Sequence, residues 1–186
     1  MVSFGGPGVM LLAVMVAAVV LVLVAVLLGP RVGWDRAVSI TALLWTLVVV
    51  FVITLVPANG PPGVISAADA QTVCSMDYGG PAPDEFWIFG GGQRVLNTGL
   101  FVPSGLMLVI VLSRFRHGLG LVLPGLAGLV GCSVAIEAVQ LELTRIGRSC
   151  DITDIVDNST GAVVGTLLGL AVAALTRVTG RSGTRP

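Results

Sequence analysis

The sequence predicts an all-α membrane protein, a bundle of five transmembrane helices, and three observations predict it. Mean hydropathy is +1.00. Hydrophobic residues make up 55% of the chain and charged residues 11%. Several apolar runs approach the roughly 20 residues that a helix needs to cross a bilayer. Five such spans in 186 residues leave almost nothing for a soluble domain, so one membrane domain over residues 1–186 is expected. Formal net charge is zero, with ten arginines against ten acids and no lysine. No basic surface therefore argues for nucleic acid, and neither zinc-type Cys/His spacing nor a phosphate-binding glycine loop is present.

The first run, residues 8–28, carries no charge. At about 1.5 Å per residue it spans about 30 Å, the thickness of the hydrocarbon core. A cleaved signal peptide would start with basic residues and end in small ones; this chain starts MVSFGGPG and leaves the run through Gly29-Pro30-Arg31. The first helix is therefore expected to stay on the protein. A short basic turn, Arg31 to Arg36 with Trp34 suited to the headgroup layer, leads to the second run, 37–56, which stops before Pro57.

Residues 58–94 are rich in Pro, Gly and acids and read as a loop outside the bilayer, with Phe86-Trp87-Ile88-Phe89 lying at the interface or over the bundle. The third span, 95–112, contains Pro103 and Gly105, and Pro103 should kink it. A second basic turn, Ser113 to Gly118, precedes the fourth span, 119–141, and the fifth covers 153–175. On this map Arg31, Arg36, Arg114, Arg116, Arg177, Arg181 and Arg185 share one side, and Arg94, Arg145 and Arg148 the other. Because cytoplasmic connections are rich in arginine, the amino terminus is expected outside and the carboxyl terminus inside. Cys74 and Cys150 then lie in the two outer connections and are expected to form a disulfide; Cys132, within the fourth span, reads as a small packing residue.

Polar residues concentrate between Glu137 and Gly165. Glu137 and Gln140 are three apart and share a helix face near the outer end of the fourth span. A carboxylate at that depth needs a partner, and Arg148, Arg94 and Asn97 are available from neighbouring ends. Glu137 can equally be a structural tie or part of a site. Asp151, Asp154 and Asn158 form a stripe at the start of the fifth span, where Asp151 or Thr153 can cap the helix and acids complement its dipole. Capping does not use three acids, however. Asp151, Asp154 and Asp157 are candidate ligands for Mg²⁺, which would bridge them to a lipid pyrophosphate, with Arg148 and Arg94 as direct phosphate contacts. Gly161, Gly165 and Gly169 recur every four residues as a packing stripe, and Gly128 with Cys132 on the fourth helix is the expected matching face.

Three blocks, Asn97-x-x-x-Phe101-x-Pro103-x-Gly105, Glu137-x-x-Gln140 and Arg148-x-x-Asp151-x-x-Asp154-x-x-x-Asn158-x-x-Gly161-x-x-x-Gly165, resemble the VanZ-like family of bacterial membrane proteins, across residues 49–170. The resemblance implies a helical integral protein of the bacterial cell membrane. The family's namesake confers low-level resistance to teicoplanin, a glycopeptide that acts on the lipid-linked peptidoglycan precursor. Some members carry a Lys and a His at the position of Asn97; here the only histidine, His117, is expected on the cytoplasmic side. A mechanism that needs histidine at the site therefore does not fit this chain.

The leading expectation is a non-enzymatic envelope protein. Its outward pocket would recognise an amphiphile such as a glycopeptide or a lipid-linked cell-wall precursor. Arg148 and Arg94 would hold anionic groups, Glu137 and Asp154 would orient the arginines or a cation, and Asn97, Gln140 and Asn158 would supply hydrogen bonds. The rivals are a membrane-embedded hydrolase or transferase with Glu137 and Asp154 as acid and base, and a cluster that is only structural. Transport fits poorly, because no inverted repeat is visible and the charges gather at one face.

Overall fold

A computed structural model of the chain describes residues 5–57, 71–78, 92–142 and 149–182. The loop acids Asp69, Asp84 and Glu85, the aromatic stretch Phe86 to Phe89, and Arg145, Arg148 and Arg185 lie outside the described residues. The described residues form five α-helices: α1 Pro7–Val32, α2 Trp34–Leu55, α3 Gly92–Ser113, α4 Val122–Glu142 and α5 Ile152–Ser182. A single 3-10 turn, Gly118–Leu121, leads into α4. All five helical segments are long and apolar enough to cross a membrane, and the chain is a multi-pass membrane protein.

The first two helices are joined more tightly than the apolar runs imply. Instead of stopping at Leu28, α1 continues through Gly29 and Pro30 to Val32, and the chain reverses at Gly33, whose φ of 91° suits glycine. Gly29 has no side chain because the ring of Trp34 occupies that space; a Cβ there would sit 2.7 Å from the indole. Arg31 Nη1 donates to the Leu27 carbonyl at 2.8 Å, laying its side chain back along the last turn of α1. Most of α1 is exposed, as suits a helix that packs on one neighbour and otherwise meets lipid.

The two basic turns meet at one end of the bundle. Arg114 Nη1 lies 3.7 Å from Asp35 Oδ2, Arg36 Nε donates to the Arg114 carbonyl at 3.4 Å, and the Arg36 guanidinium stands 5.4 Å from the centre of the Phe115 ring. The amino-terminal segment is at the opposite end, where the Gly6 N–H donates to the Pro57 carbonyl at 2.8 Å.

The tightest packing is between α3 and α5, which run parallel. α3 passes unbroken through Pro103, whose ring is exposed, while Ser104 and Gly105 beside it are buried. Gly161 rests on the Thr98 carbonyl, Gly165 on the Val102 carbonyl, and Gly169 on Leu106 and Val109; Gly105 in return rests on the backbone of Ala162 and Thr166. A Cβ at these glycines would run into backbone or a β-branched stem, neither of which can rotate away. The partner of the α5 glycine stripe is therefore α3, not the expected Gly128 and Cys132 face of α4: the space beyond Gly128 is open, and Cys132 is half-buried. Below this contact Val50, Phe101, Leu108, Leu129, Ile136 and Ala162 form the core. Ser104 Oγ donates to Thr46 Oγ1 at 3.1 Å, a polar tie between α3 and α2 inside the membrane span.

Adding one methyl group should expose this difference between the two glycine sites. Gly165→Ala is expected to lower stability by about 1–3 kcal/mol, the usual range for overpacking a close contact. Gly128→Ala, which meets nothing within 4 Å, should leave it unchanged or raise it slightly through helix propensity. Thermal melting of both variants in detergent checks the pair.

Candidate functional site

The start of α5 is held by three neighbours. Asp151 caps the helix through Oδ1, which accepts the Thr153 N–H at 2.8 Å. Its own backbone N–H donates to Glu137 Oε2 on α4 at 3.0 Å. The buried Glu137 carboxylate thus takes up an open donor at the helix start, where the helix dipole favours negative charge. From the other side, residues 71–78 lie along the connection into α5. Cys74 and Cys150 form the expected disulfide. Ser75 pairs with the backbone around Asp151 as a one-residue parallel bridge, its N–H donating to Cys150 O and its carbonyl accepting from Ile152 N–H, both at 3.0 Å. The Gln71 side chain brackets Cys150, donating to its carbonyl at 2.9 Å and accepting its N–H at 2.8 Å.

The first turn of α3 supplies the polar partners of α5. This helix begins at Gly92 rather than at residue 95, so Gln93 and Arg94 are helical and not part of the loop. Asn97 Nδ2 donates to Asp154 Oδ1 at 2.6 Å, and Gln93 Nε2 donates to Asp154 Oδ2 at 3.3 Å. Arg94 grips Asp157 with two hydrogen bonds, Nε to Oδ2 at 3.0 Å and Nη2 to Oδ1 at 3.1 Å. Its Nη2 also donates to Tyr78 Oη at 2.8 Å, with the guanidinium 5.0 Å from the centre of that ring. Arg94 was a candidate partner of Glu137; its partner is Asp157, whose side chain is only 8% exposed, while Glu137 takes the Asp151 N–H.

Between these elements is a polar cavity of about 190 Å³, lined by Thr54, Gln93, Asn97, Glu137, Gln140, Ser149, Asp154 and Asn158. Gln140 Nε2 donates to the Thr54 carbonyl at 3.0 Å, which is open because α2 ends one residue later. Asn158 Nδ2 donates to Ser133 Oγ on α4 at 3.0 Å. Asn158 is 2% exposed, and its Oδ1 has no hydrogen-bond partner among the described residues.

Five of the residues singled out in the sequence, Asn97, Glu137, Gln140, Asp154 and Asn158, therefore meet in one cavity. Arg94 stands beside it in the pair with Asp157, Asp151 serves as the helix cap, and Arg148 lies outside the described residues. Asp151, Asp154 and Asp157 are engaged separately by Thr153, by Gln93 with Asn97, and by Arg94. Among the described residues no three Asp, Glu, His or Cys side chains are grouped as metal ligands. Thr54, Gln93 and Ser149 are lining residues that the sequence reading missed, as it missed the supports Gln71 and Tyr78. Gln93 carried a usable signal, lying four residues before Asn97 and so on the same helix face. Thr54 lies unmarked in the second span, and Ser149, Gln71 and Tyr78 come from segments with no periodic pattern.

The VanZ/LLP1 family model matches residues 10–173, most of the chain, and the chain belongs to that family. The match includes α1 and α2 and so extends beyond the region that carries the polar motifs. No curated protein and no solved structure matches the chain.

Two measurements check the site's supports. Unreduced, denatured protein should titrate as a single thiol, Cys132, and reduced protein as three. Arg94→Ala should lower the melting temperature by more than the double variant Arg94→Ala/Asp157→Asn, because the single change strands a buried carboxylate that the double change neutralises.

Proposed function

We propose that this VanZ/LLP1 protein sits in the bacterial cell membrane with its cavity outward and recognises the polar portion of an amphiphile there. The ligand class is a lipid-linked cell-wall precursor or a glycopeptide such as teicoplanin. The arginine distribution supports the orientation: Arg31, Arg36, Arg114, Arg116 and Arg177 belong to the end away from the cavity, and such residues stay cytoplasmic. The disulfide at the cavity end supports it too, because disulfides persist on the oxidising side of a membrane.

Asn158 Oδ1 is the observation that carries the reading. An acceptor buried without a partner costs about 1–3 kcal/mol, and this one belongs to a residue at a cavity whose other walls carry carboxylates, amides and hydroxyls. A ligand O–H or N–H placed there would recover that energy. The cavity is smaller than the about 300–1,000 Å³ that enclose a drug-sized ligand, so it suits one sugar-sized or amide-sized group, with the rest of the molecule in the lipid or above the surface. Arg148 and the exposed edge of Arg94 are the candidates for an adjoining phosphate or carboxylate.

A second reading has an observation of its own: Glu137 and Asp154 line the same cavity, as an acid and base of a hydrolase or transferase would. In that case Glu137→Gln abolishes turnover of a lipid-linked substrate while the variant remains folded and dispersed.

Melting of the purified protein in detergent, with and without teicoplanin or polyprenyl pyrophosphate, separates the readings. For a recognition protein, a ligand at a hundredfold excess over its dissociation constant adds about 2.7 kcal/mol. The shift should vanish in Asn158→Leu, which removes the unpartnered acceptor while keeping the side-chain volume. If neither ligand shifts the wild type, and Asn158→Leu by itself melts far lower, the cluster is structural and the recognition reading is wrong.

A further inference from the structure

The opposite end of the bundle holds a second cavity, of about 220 Å³, between α3 and α5. Ile110, Val172 and Ala173 make its apolar wall, and Arg114 and Arg177 stand at it. The hydroxyls that also line it are turned back on their own helices: Ser113 Oγ donates to Ile110 O at 2.7 Å, and Thr176 Oγ1 to Ala173 O at 3.1 Å. Arg114 and Arg177 are thus the lining residues that can offer charged donors to a ligand.

Their positions set the depth. Arg114 follows directly on the last residue of α3, and Arg177 is the first charged residue after the uncharged run 158–176 of α5, so both suit the level where hydrocarbon gives way to headgroups. Arg177 is exposed and has no ion pair among the described residues. Among the described residues the carboxylate paired with Arg114 is Asp35 at 3.7 Å, itself 83% exposed, and a surface pair of this kind gives way readily to a better anion. An apolar slot within the membrane, ending at two available guanidiniums on its rim, is complementary to one class of molecule.

We propose that this cavity binds an anionic phospholipid, its phosphate between Arg114 and Arg177 and the start of an acyl chain along Ile110, Val172 and Ala173. Arginine suits this because its planar donors match phosphate oxygens in pairs. The lipid would clasp the basic end of the α3–α5 contact, as Arg94 and Asp157 clasp the other end, and this site is independent of the outward cavity.

Native mass spectrometry of the full-length protein after exchange into mixed phosphatidylglycerol and phosphatidylcholine tests the proposal. The wild type should retain phosphatidylglycerol in preference. Each arginine removed, in Arg114→Gln and Arg177→Gln, should weaken that preference about fivefold, as expected for one basic side chain near an anionic headgroup. Arg116→Gln, a neighbouring arginine outside the cavity, should keep it. Equal retention of the two lipids, an undiminished preference in the double variant, or the same loss in Arg116→Gln overturns the proposal. So does displacement of the lipid by inorganic phosphate at matched concentration, since that would mark a site for the free anion. Unchanged helix content and an intact disulfide in the variants confirm that the fold is retained.

Discussion

The backbone-to-backbone contact of α3 and α5 is the constraint on which the rest of this structure depends. Thr98 meets Gly161, Val102 meets Gly165 and Leu106 meets Gly169, each pair at the same 63-residue offset that joins Arg94 to Asp157. The ion pair is therefore the top rung of the glycine ladder. Two parallel helices whose side chains repeat on one face every four residues keep such a register only if each rung fits, and the fit is to backbone carbonyls at Gly161 and Gly165 and to the Val109 stem with the Leu106 carbonyl at Gly169. Lipid supplies no hydrophobic force to push the helices together, so close van der Waals contact along small residues has to do so. Once that register is set, Gln93 and Asn97 necessarily stand opposite Asp154.

The same constraint explains why the polar groups are tolerated. The first turn of α5 brings Asp151, Asp154 and Asp157 to the membrane edge, and each is compensated from a different direction: by the helix's own N–H groups, by two amides and by a guanidinium. Glu137 adds a fourth carboxylate from α4, placed where the open N–H of Asp151 can use it. Removing such partners singly would leave charge or dipole buried in a low-dielectric setting, which is far costlier than never having placed it there. The disulfide and the Gln71 clasp then fix the connection from which three of these groups depend, so the loop is part of the cavity's frame.

Much of this was legible in the sequence because it follows from composition and period. Five spans appear as five charge-free or nearly charge-free runs, and Cys74 with Cys150 follows from the arginine count once the sides are assigned. The convergence of Asn97, Glu137, Gln140, Asp154 and Asn158 follows from their lying one turn inside the ends of adjacent helices. What could not be read is which helix faces which. A Gly-x-x-x-Gly stripe announces a close neighbour without naming it, and α3 meets the stripe with backbone carbonyls at Thr98 and Val102, residues whose side chains say nothing of it. Gly128 looked like the complementary surface because it was small, but α4 instead reaches α5 through the Asn158–Ser133 hydrogen bond. The continuation of α1 through Pro30 was likewise hidden, since a proline near the end of a helix costs little when the following glycine can turn the chain.

Whether the polar cavity exists for the bundle or for a ligand turns on how completely its polar groups are satisfied. A network kept only to hold helices together gains by closing every hydrogen bond, because in a dry interior each open acceptor subtracts about what a closed one contributes. Thr46, Ser104 and Gln140 behave that way, each spent on a protein partner. Among the described residues two buried side-chain atoms do not: Thr166 Oγ1 and Asn158 Oδ1. The first is a hydroxyl within the α3–α5 seam, able to rotate towards a neighbouring carbonyl. The second cannot adjust in that way, since turning the amide to satisfy its oxygen would take the N–H from Ser133 and aim a donor into the cavity instead. In either orientation one polar end of Asn158 is left open beside the cavity, and a leucine of similar volume would fill the position without that open group. The asparagine makes physical sense if something that enters the cavity completes its hydrogen bonds.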